Sequence, residues 1–504
     1  MNTSSIHSKK NKTILLLLIA VGFICSLYYF LWWFNFIKIT HWIFIFLFLG
    51  ILFYIITQIY FVWYIYARIK YPKPKKLERP YEVDIFLPTY DEPHQLVEKS
   101  LGAIQNIKYP HQTYLIDDGK NPSLKNLAAQ YGATYISRED KHYNKAGNIN
   151  NALKFSEGEI VAIFDMDHLP NPDFLDNVLG YFENPDVGVV QVKLDHYNRS
   201  ESYVASACYN MHDDFFNTIM MGMSGCNSAV VFGSNSVFRR KALTSIGGYK
   251  PGLAEDLNTS IHLHAKGWKS AYVSKTLAFG LVPLDLRGFF VQQLKWARGI
   301  FEILFTIFPK LFMRLKLNHI VCYLNRMTYY LAGSIIFAHI IMTIFALLST
   351  EINPYFNSYL IHSFPFLFVF FVIHFYVRLV YKSRESKTGF SLRGLFLALS
   401  SWPVYTLAFI LTVFRIKLPF QSTPKQGSST KRFLIILPQV LTIVLILFAV
   451  IYNIVMFGHL ELTPSTLFAI FLILLNTGVT PLFIEERKTK HPILSSEERT
   501  DAAS

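Results

Sequence analysis

Charge is scarce in this chain: Asp, Glu, Lys and Arg together make up 16% of 504 residues, against 52% hydrophobic ones. Soluble domains carry about a quarter of their residues charged, so this composition excludes a uniformly soluble protein. Cysteine is scarcer still. Cys25, Cys208, Cys226 and Cys322 show neither metal-type spacing nor an even framework for disulfides, and they are expected as free thiols. Acidic residues are also outnumbered, 34 against 48 Lys and Arg, for a net charge of +14. The basic residues flank apolar runs, so their consequence is attraction to anionic lipid or substrate, and nucleic acid is not needed to explain them. There is no internal repeat.

What is abundant is long apolar sequence at both ends. Lys12 and Lys38 enclose one charge-free run and Ile39–Ala67 forms another, each longer than the roughly 20 residues that cross a bilayer. Neither resembles a cleaved signal, and Trp32 and Trp33 suit the membrane interface. Beyond Arg326 lie Met327–Thr350, Tyr359–Val377, Phe433–Phe457 and Leu462–Ile484. A further uncharged run, Gly394–Phe414, is also long enough, but charge argues against its crossing. The segments Arg68–Arg79, Arg378–Lys387, Arg415–Arg432 and Arg487–Lys490 are basic, whereas the turns near Glu351 and Glu461 hold no Lys or Arg. Six spans put every basic segment on the cytoplasmic side; a seventh would place Arg415–Arg432 outside. Gly394–Phe414, broken at Trp402-Pro403, is therefore expected along the cytoplasmic interface.

The middle of the chain alternates strand-like and helix-like segments. Val83–Pro88, Thr113–Ile116, Ala133–Ile136 and Ile160–Phe164 have strand character, with helical patterns over Leu96–Ile107, Leu124–Tyr131 and Gly147–Phe155. This βαβ series predicts a mostly parallel sheet that binds ligands beyond the carboxyl ends of its strands. Polar groups are delivered there repeatedly: Thr89-Tyr90-Asp91-Glu92, then Asp117-Asp118-Gly119, then Asp165-Met166-Asp167. Each taken singly is equally well an Asx turn or a helix cap.

Several of these residues admit chemistry. Asp165 and Asp167 emerge on the same side of a strand end and can share a hard cation such as Mg²⁺ or Mn²⁺, or form an acidic strand-to-turn junction. Lys145 precedes a helix, where it and free N–H groups can face a phosphate or simply start the helix. Asp256 opens another helix, whose dipole is expected to hold it ionised, either as a cap or as a base that takes a proton from a hydroxyl. His168, His262 and His264 are expected to be structural, because no further ligand is spaced to join them.

Together, Asp117-Asp118-Gly119, Lys145-Ala146-Gly147-Asn148, Asp165-Met166-Asp167-His168, Glu255-Asp256 and Gln292-Gln293-Leu294-Lys295-Trp296 resemble the DDG, KAGN, DxDH, TED and QxxRW signatures of processive, membrane-embedded family-two glycosyltransferases, cellulose synthase catalytic subunits above all. His168 and Cys322-Tyr323-Leu324-Asn325 tilt the likeness toward cellulose synthases, and Phe420–Lys425 is similar to their gating loop. The resemblance implies an α/β glycosyltransferase domain of GT-A type, inserted between helical transmembrane regions with about six spans plus interfacial helices. The division it implies is 1–70 (two spans), 71–299 (cytoplasmic catalytic domain), 300–326 (interfacial helix), 327–382 (hairpin), 383–432 (interfacial helix and gating loop), 433–486 (hairpin) and 487–504 (mobile tail).

By the same resemblance Thr89, Tyr90, Glu92 and Asp118 hold the uridine of a UDP-sugar, UDP-glucose first, and Asp165 and Asp167 organise Mg²⁺ or Mn²⁺ and the diphosphate. Lys145, Gln292 and Lys295 join the substrate site, Phe232 and Trp296 line the acceptor end, Thr423 and Lys425 lie on the gating loop, and Asp256 is the general base. The implied partners are the growing polysaccharide, membrane lipid and accessory export subunits, in a bacterial inner membrane with both termini cytoplasmic. Three departures matter. Lys295 stands where the family has Arg, which Arg298 is expected to offset; Ala254 replaces a Thr and Ser422 a Val. The short stretch after the last apolar run leads to the expectation that the cyclic-nucleotide-binding barrel of many bacterial cellulose synthases is not carried here. A single-addition glycosyltransferase, and an inactive transporter or scaffold, are the alternative readings.

Overall fold

The computed structural model describes residues 9–36, 42–381, 392–416, 433–457 and 461–480. Its α/β domain is organised on an eight-stranded sheet in the order β3-β2-β1-β4-β7-β6-β8-β5. The strands are β1 (Val83–Thr89), β2 (Gln112–Asp117), β3 (Thr134–Ser137), β4 (Ile160–Ile163), β5 (Leu169–Pro170), β6 (Val187–His196), β7 (Ser236–Arg239) and β8 (Lys269–Gly280). The first four are parallel, as the βαβ pattern predicts, and β1 is buried nearly throughout because helices cover both of its faces. Beyond β4 the sheet is mixed: β7 runs antiparallel to β4 and β6, while β6 and β8 pair in parallel. The expectation of a mostly parallel sheet therefore holds for the first half, and the second half is a mixed extension without an amphipathic βαβ signature in the sequence.

Register fixes where the chemistry gathers. Thr89 pairs with Asp117, so β1 and β2 end level with one another, and β4 ends beside them. Apolar clusters fill both faces, with Leu87, Leu115 and Phe164 on one and Phe86, Ile116 and Ile163 on the other. Polar side chains just past these ends have no core to enter and line the rim.

Six of the described helices are long and apolar enough to cross a membrane: Lys9–Phe34, Phe44–Tyr66, Leu317–Leu348, Asn353–Tyr381, Leu392–Val413 and Phe433–Met456. Leu392–Val413, the run assigned to the interface from charge, meets the length criterion but bends at Ser401 into Leu392–Ser400 and Trp402–Val413. The first piece packs on the catalytic-domain helix Tyr203–Asp214, and the second on Leu286–Thr306, where Tyr405 donates a hydrogen bond to Gln293 Oε1 at 3.2 Å. The described part of the last apolar run is the shorter helix Pro464–Thr477. The expected boundary at 299/300 falls inside the continuous helix Leu286–Thr306.

Candidate active site

At the ends of β1 and β2 the polar groups satisfy one another. Thr89 Oγ1 donates to Glu92 Oε2 at 2.7 Å and the Tyr90 N–H to the same oxygen at 2.8 Å, leaving the Tyr90 ring 61% exposed at the cavity rim. Asp117 is committed to structure, accepting the N–H groups of Gly119 at 2.6 Å and Asn121 at 2.8 Å and the Tyr135 hydroxyl at 2.8 Å. Asp118 reaches the cavity, but both its oxygens are held by Arg138, at 2.6 Å from Nε and 2.8 Å from Nη2, in a buried bidentate pair. Arg138 also donates to the carbonyls of His142 at 2.8 Å and Asn144 at 2.9 Å, tying down the left-handed Tyr143 and Asn144, with φ of 65° and 45°. Sequence reasoning missed Arg138. Its signal lies one residue past Ser137, and Ser137 faces Asp117 only once β2 and β3 pair in parallel.

The Lys145 helix begins at Asn144, so Lys145 sits inside its first turn instead of ahead of it. Its Nζ pairs with Asp165 Oδ1 and donates to the Gly233 carbonyl at 2.7 Å. Burial disfavours the charge, yet Asp165 and Glu255 outweigh it and hold the lysine above its ordinary pKa. Gly233 has φ +74°, and a Cβ there would stand 3.3 Å from Lys145 Nζ and 3.7 Å from Asp256 Oδ2. The backbone conformation thus asks for glycine, and a larger residue would also press on Lys145 Nζ.

Asp165, Asp167 and His168 can each offer a ligand atom, all within 4.8 Å of one another. His168 was expected to be structural for want of further ligands spaced to join it, and the fold brings Asp165 and Asp167 within reach. The chain turns back after Asp165, His168 N–H donating to the Asp165 carbonyl at 2.9 Å, and the two aspartates become the partners that linear spacing did not reveal. His168 Nδ1 stands 3.4 Å from Asp167 Oδ1 and makes no hydrogen bond among the described residues. The two carboxylates are donors that fit Mg²⁺ or Mn²⁺, with the imidazole of His168 close beside them. His262 and His264 are structural as expected, the first bonded to the Asn258 carbonyl and the second held between Tyr323 and Ser270.

Asp256 opens the helix Glu255–Ala265 with Oδ1 accepting the Leu257 N–H at 2.7 Å. Its pKa is pushed up to about 7, by burial first and then by neighbouring Glu255, so the helix terminus does not hold it firmly ionised as expected. The helix Leu286–Thr306 approaches this point so closely that a Cβ on Gly299 would be 2.7 Å from the Ala254 nitrogen. That approach turns Gln292, Lys295 and Trp296 into the cavity. Arg298, expected to support Lys295, is buried outside the cavity wall, because its position on the helix points it into the domain; Arg326 lines the cavity instead, its guanidinium 5.0 Å from the Phe215 ring. Burial lowers the Lys295 pKa. Phe232 packs edge-on against Phe215 and Phe216, which stand on a π-helical turn, Phe215–Ile219. Thr423 and Lys425 lie outside the described residues.

These groups line one cavity of about 2540 Å³. It runs from Asp165, Asp167 and Asp256 past Trp296 to Tyr54, Gln58 and His374 on the apolar helices. That exceeds the roughly 300–1,000 Å³ of a small-ligand pocket.

Residues 160–478 match the family described as glycosyl transferase family group 2. The UDP-forming cellulose synthase catalytic subunit of Xanthomonas axonopodis pv. citri (strain 306) is 34% identical over 261 residues, 50% of this chain and 36% of that protein. The cellulose synthase 1 catalytic subunit of Komagataeibacter xylinus is 32% identical over 269 residues, 51% of this chain and 36% of its own length. The alignments thus span little more than a third of these relatives. Among solved structures, a mannosyltransferase of Pyrobaculum calidifontis in complex with GDP-Man and Mn²⁺ shares the fold with a TM-score of 0.50 and 17% identity, covering 72% of this chain and 96% of its own.

Proposed function

The chain belongs to glycosyl transferase family group 2, and from that premise we propose that it is a membrane-embedded, UDP-sugar-dependent inverting glycosyltransferase that polymerises a β-linked glycan, cellulose-like β-1,4-glucan first, and passes the product across the membrane. The observation that carries the polymerising reading is the cavity: carboxylates at one end, an aromatic platform beyond them, and transmembrane side chains at the other end, all around one continuous space. The relatives' description as UDP-forming and the GDP-Man in complex with the solved neighbour support a nucleotide-sugar donor.

In this reading uridine docks against Tyr90 at the rim that Thr89, Glu92 and the Asp118–Arg138 pair shape. Lys145 and Lys295 place positive charge beside the diphosphate. Asp165, Asp167 and His168 would hold Mg²⁺ or Mn²⁺, which when bound offsets negative charge on the departing UDP. The acceptor hydroxyl, held over Trp296, attacks the anomeric carbon. A new C–O bond forms as the bond to the diphosphate breaks, UDP leaves with the electron pair, and Asp256 takes the hydroxyl proton. A carboxylate with a pKa of about 7 accepts that proton more readily than one of ordinary acidity.

The catalytic domain and both termini face the cytoplasm of a bacterial inner membrane, with the basic segments inside and Leu392–Val413 lying along the interface against the catalytic domain. Purified protein in lipid, incubated with a panel of UDP-sugars and Mg²⁺ or Mn²⁺, tests the proposal. Polymer from one donor supports it, single-sugar products replace it with a single-addition enzyme, and no UDP release with any donor overturns it.

A further inference from the structure

The helix Tyr203–Asp214 ends in two adjacent carboxylates that serve opposite sides of the molecule. Asp213 points into the catalytic domain, where its Oδ1 stands 3.5 Å from Lys193 Nζ on β6, both side chains being almost fully buried. Asp214 points to the membrane half. Its Oδ2 stands 3.0 Å from His374 Nε2 and its Oδ1 3.4 Å from Arg378 Nη1, both on the helix Asn353–Tyr381. The other ring nitrogen of His374, Nδ1, is hydrogen-bonded at 2.8 Å to the hydroxyl of Tyr66, which closes the helix Phe44–Tyr66. Two membrane helices thus meet on one carboxylate of the catalytic domain. Burial raises the Asp214 pKa, but His374 and Arg378 outweigh it and hold the carboxyl below its ordinary range.

Directly after Asp214 comes the π-helical turn Phe215–Ile219. Such a turn shifts the helix bonds from i, i+4 to i, i+5, is rare, and recurs at functional sites. The two aspartates also support it locally: Asn217 Nδ2 donates to Asp213 Oδ1 at 2.5 Å and Thr218 Oγ1 to the Asp214 carbonyl at 2.7 Å. Tyr272 of β8 donates to the Phe216 carbonyl at 2.9 Å. Its side chains divide as the carboxylates do. Phe216 enters the core around Leu257 and Ala297, while Ile219 reaches the cluster of membrane helices at Tyr66 and Ile373. Phe215 and Phe216 both stand edge-on to Phe232, so the placing of the turn is the placing of that ring.

We propose that Asp214, His374 and Arg378 are positioning residues that lock the π-turn to the membrane helices and so hold Phe232 at the acceptor end of the cavity. The proposal rests on the glycosyl-transfer reading of that cavity. The acceptor wall is then set by the membrane half of the chain, whereas the donor rim on β1 and β2 is held by its own bonds.

The full chain in lipid is assayed with UDP-glucose and Mn²⁺ for UDP release and product length, and cellotetraose binding is followed by Trp fluorescence with UDP present. Asp214→Asn keeps the shape and removes the charge. It is expected to weaken cellotetraose binding and lower kcat by about tenfold each, the scale of a sub-ångström misplacement, and to shorten the product, with UDP affinity unchanged. Asp214→Glu restores cellotetraose binding to within about threefold of the wild type, because the charge returns. Adding His374→Gln to Asp214→Asn lowers binding no further, since both remove one contact. Should Asp214→Asn fail to fold, His374→Gln alone, which leaves Arg378 on the carboxylate, is expected to weaken cellotetraose binding about threefold and shorten the product. Wild-type cellotetraose binding and product length in these variants overturn the lock. A lower yield of product of unchanged length, with both affinities intact, marks the cluster as structural and overturns it too, as does an additive double variant. Absent UDP release by the wild type overturns the glycosyl-transfer reading and the lock with it, whereas wild-type turnover beside unaltered variants removes the lock alone.

Discussion

The two halves of the cavity differ in how their polar groups are held. On the side built by β1, β2 and β3, most are answered from within, Asp118 by Arg138, Asp117 by Gly119, Asn121 and Tyr135, and Thr89 by Glu92, although Asn148 Oδ1 has no hydrogen-bond partner among the described residues. On the side built by β6 and the helices Tyr203–Asp214 and Leu286–Thr306, His196 Nδ1, His212 Nε2 and Gln292 Oε1 are buried without a hydrogen-bond partner among the described residues. A site for a small donor that arrives and leaves benefits from pre-set geometry, since ordering done by the protein is not charged to binding. On the proposed function, the donor belongs to the first, rigid half and the growing chain to the second, open half.

The strongest way to break that division is at its seam. Asp256→Asn preserves shape and removes the proton acceptor, so turnover is expected to fall by about 10³-fold, within the range for a general base, while UDP affinity is retained. A variant that loses UDP binding as well, measured by calorimetry, would put Asp256 in the donor half and not at the seam. Arg138→Gln attacks the rigid half directly. It leaves Asp118 buried without its cation, with an expected cost of about 3 kcal/mol in denaturant stability and a rise in the donor KM, because the Tyr143–Asn144 turn that carries Lys145 is released. Cellotetraose affinity should be untouched, and its loss would erase the distinction between the halves.

The same division marks how far the sequence could be read. The rigid half was legible because its residues are local: Asp117-Asp118-Gly119 and Asp165-Met166-Asp167 each sit at the end of a recognisable strand, and the parallel order of four strands follows from the βαβ alternation. The open half was not. His196 and His212 come from a strand and a helix of the mixed extension, and nothing in their spacing announces that the tertiary fold sets them in line with Trp296. The nearness of His168 to Asp165 and Asp167 was hidden for the same reason, since a turn and not a periodicity brings them together. Arg298 was expected to support Lys295 because it lies one helical turn along, and the buried face of its helix takes it out of the cavity lining, where Arg326 stands.

Acidity gives a smaller and continuous test. Asp256 works as a base only when ionised, and burial with Glu255 places its pKa at about 7. Below that value the ionised fraction falls about tenfold per pH unit, so turnover should decline with a slope near one as pH drops from 7 to 5. UDP affinity measured in parallel at saturating metal separates loss of the base from loss of the donor. A flat turnover profile across this window would mean that the base is another group or has an ordinary acidity.

The smallest expected effect comes from giving the donor half what its relatives have. Lys295 is buried at the cavity wall, and burial lowers its pKa, so its hold on a diphosphate is that of a desolvated point charge. Lys295→Arg supplies a planar fork that stays charged at every accessible pH and can bond two phosphate oxygens at once. UDP affinity is expected to rise about threefold, with acceptor binding unchanged, and the gain should be wider at alkaline than at neutral pH, because burial makes the lysine the easier of the two side chains to deprotonate. No gain at either pH would show that Lys145, already seated between Asp165 and the Gly233 carbonyl, supplies the cationic contact alone. The departure at position 295 would then reflect packing against the helix start at Glu255, and the rigid half would owe its charge to one lysine.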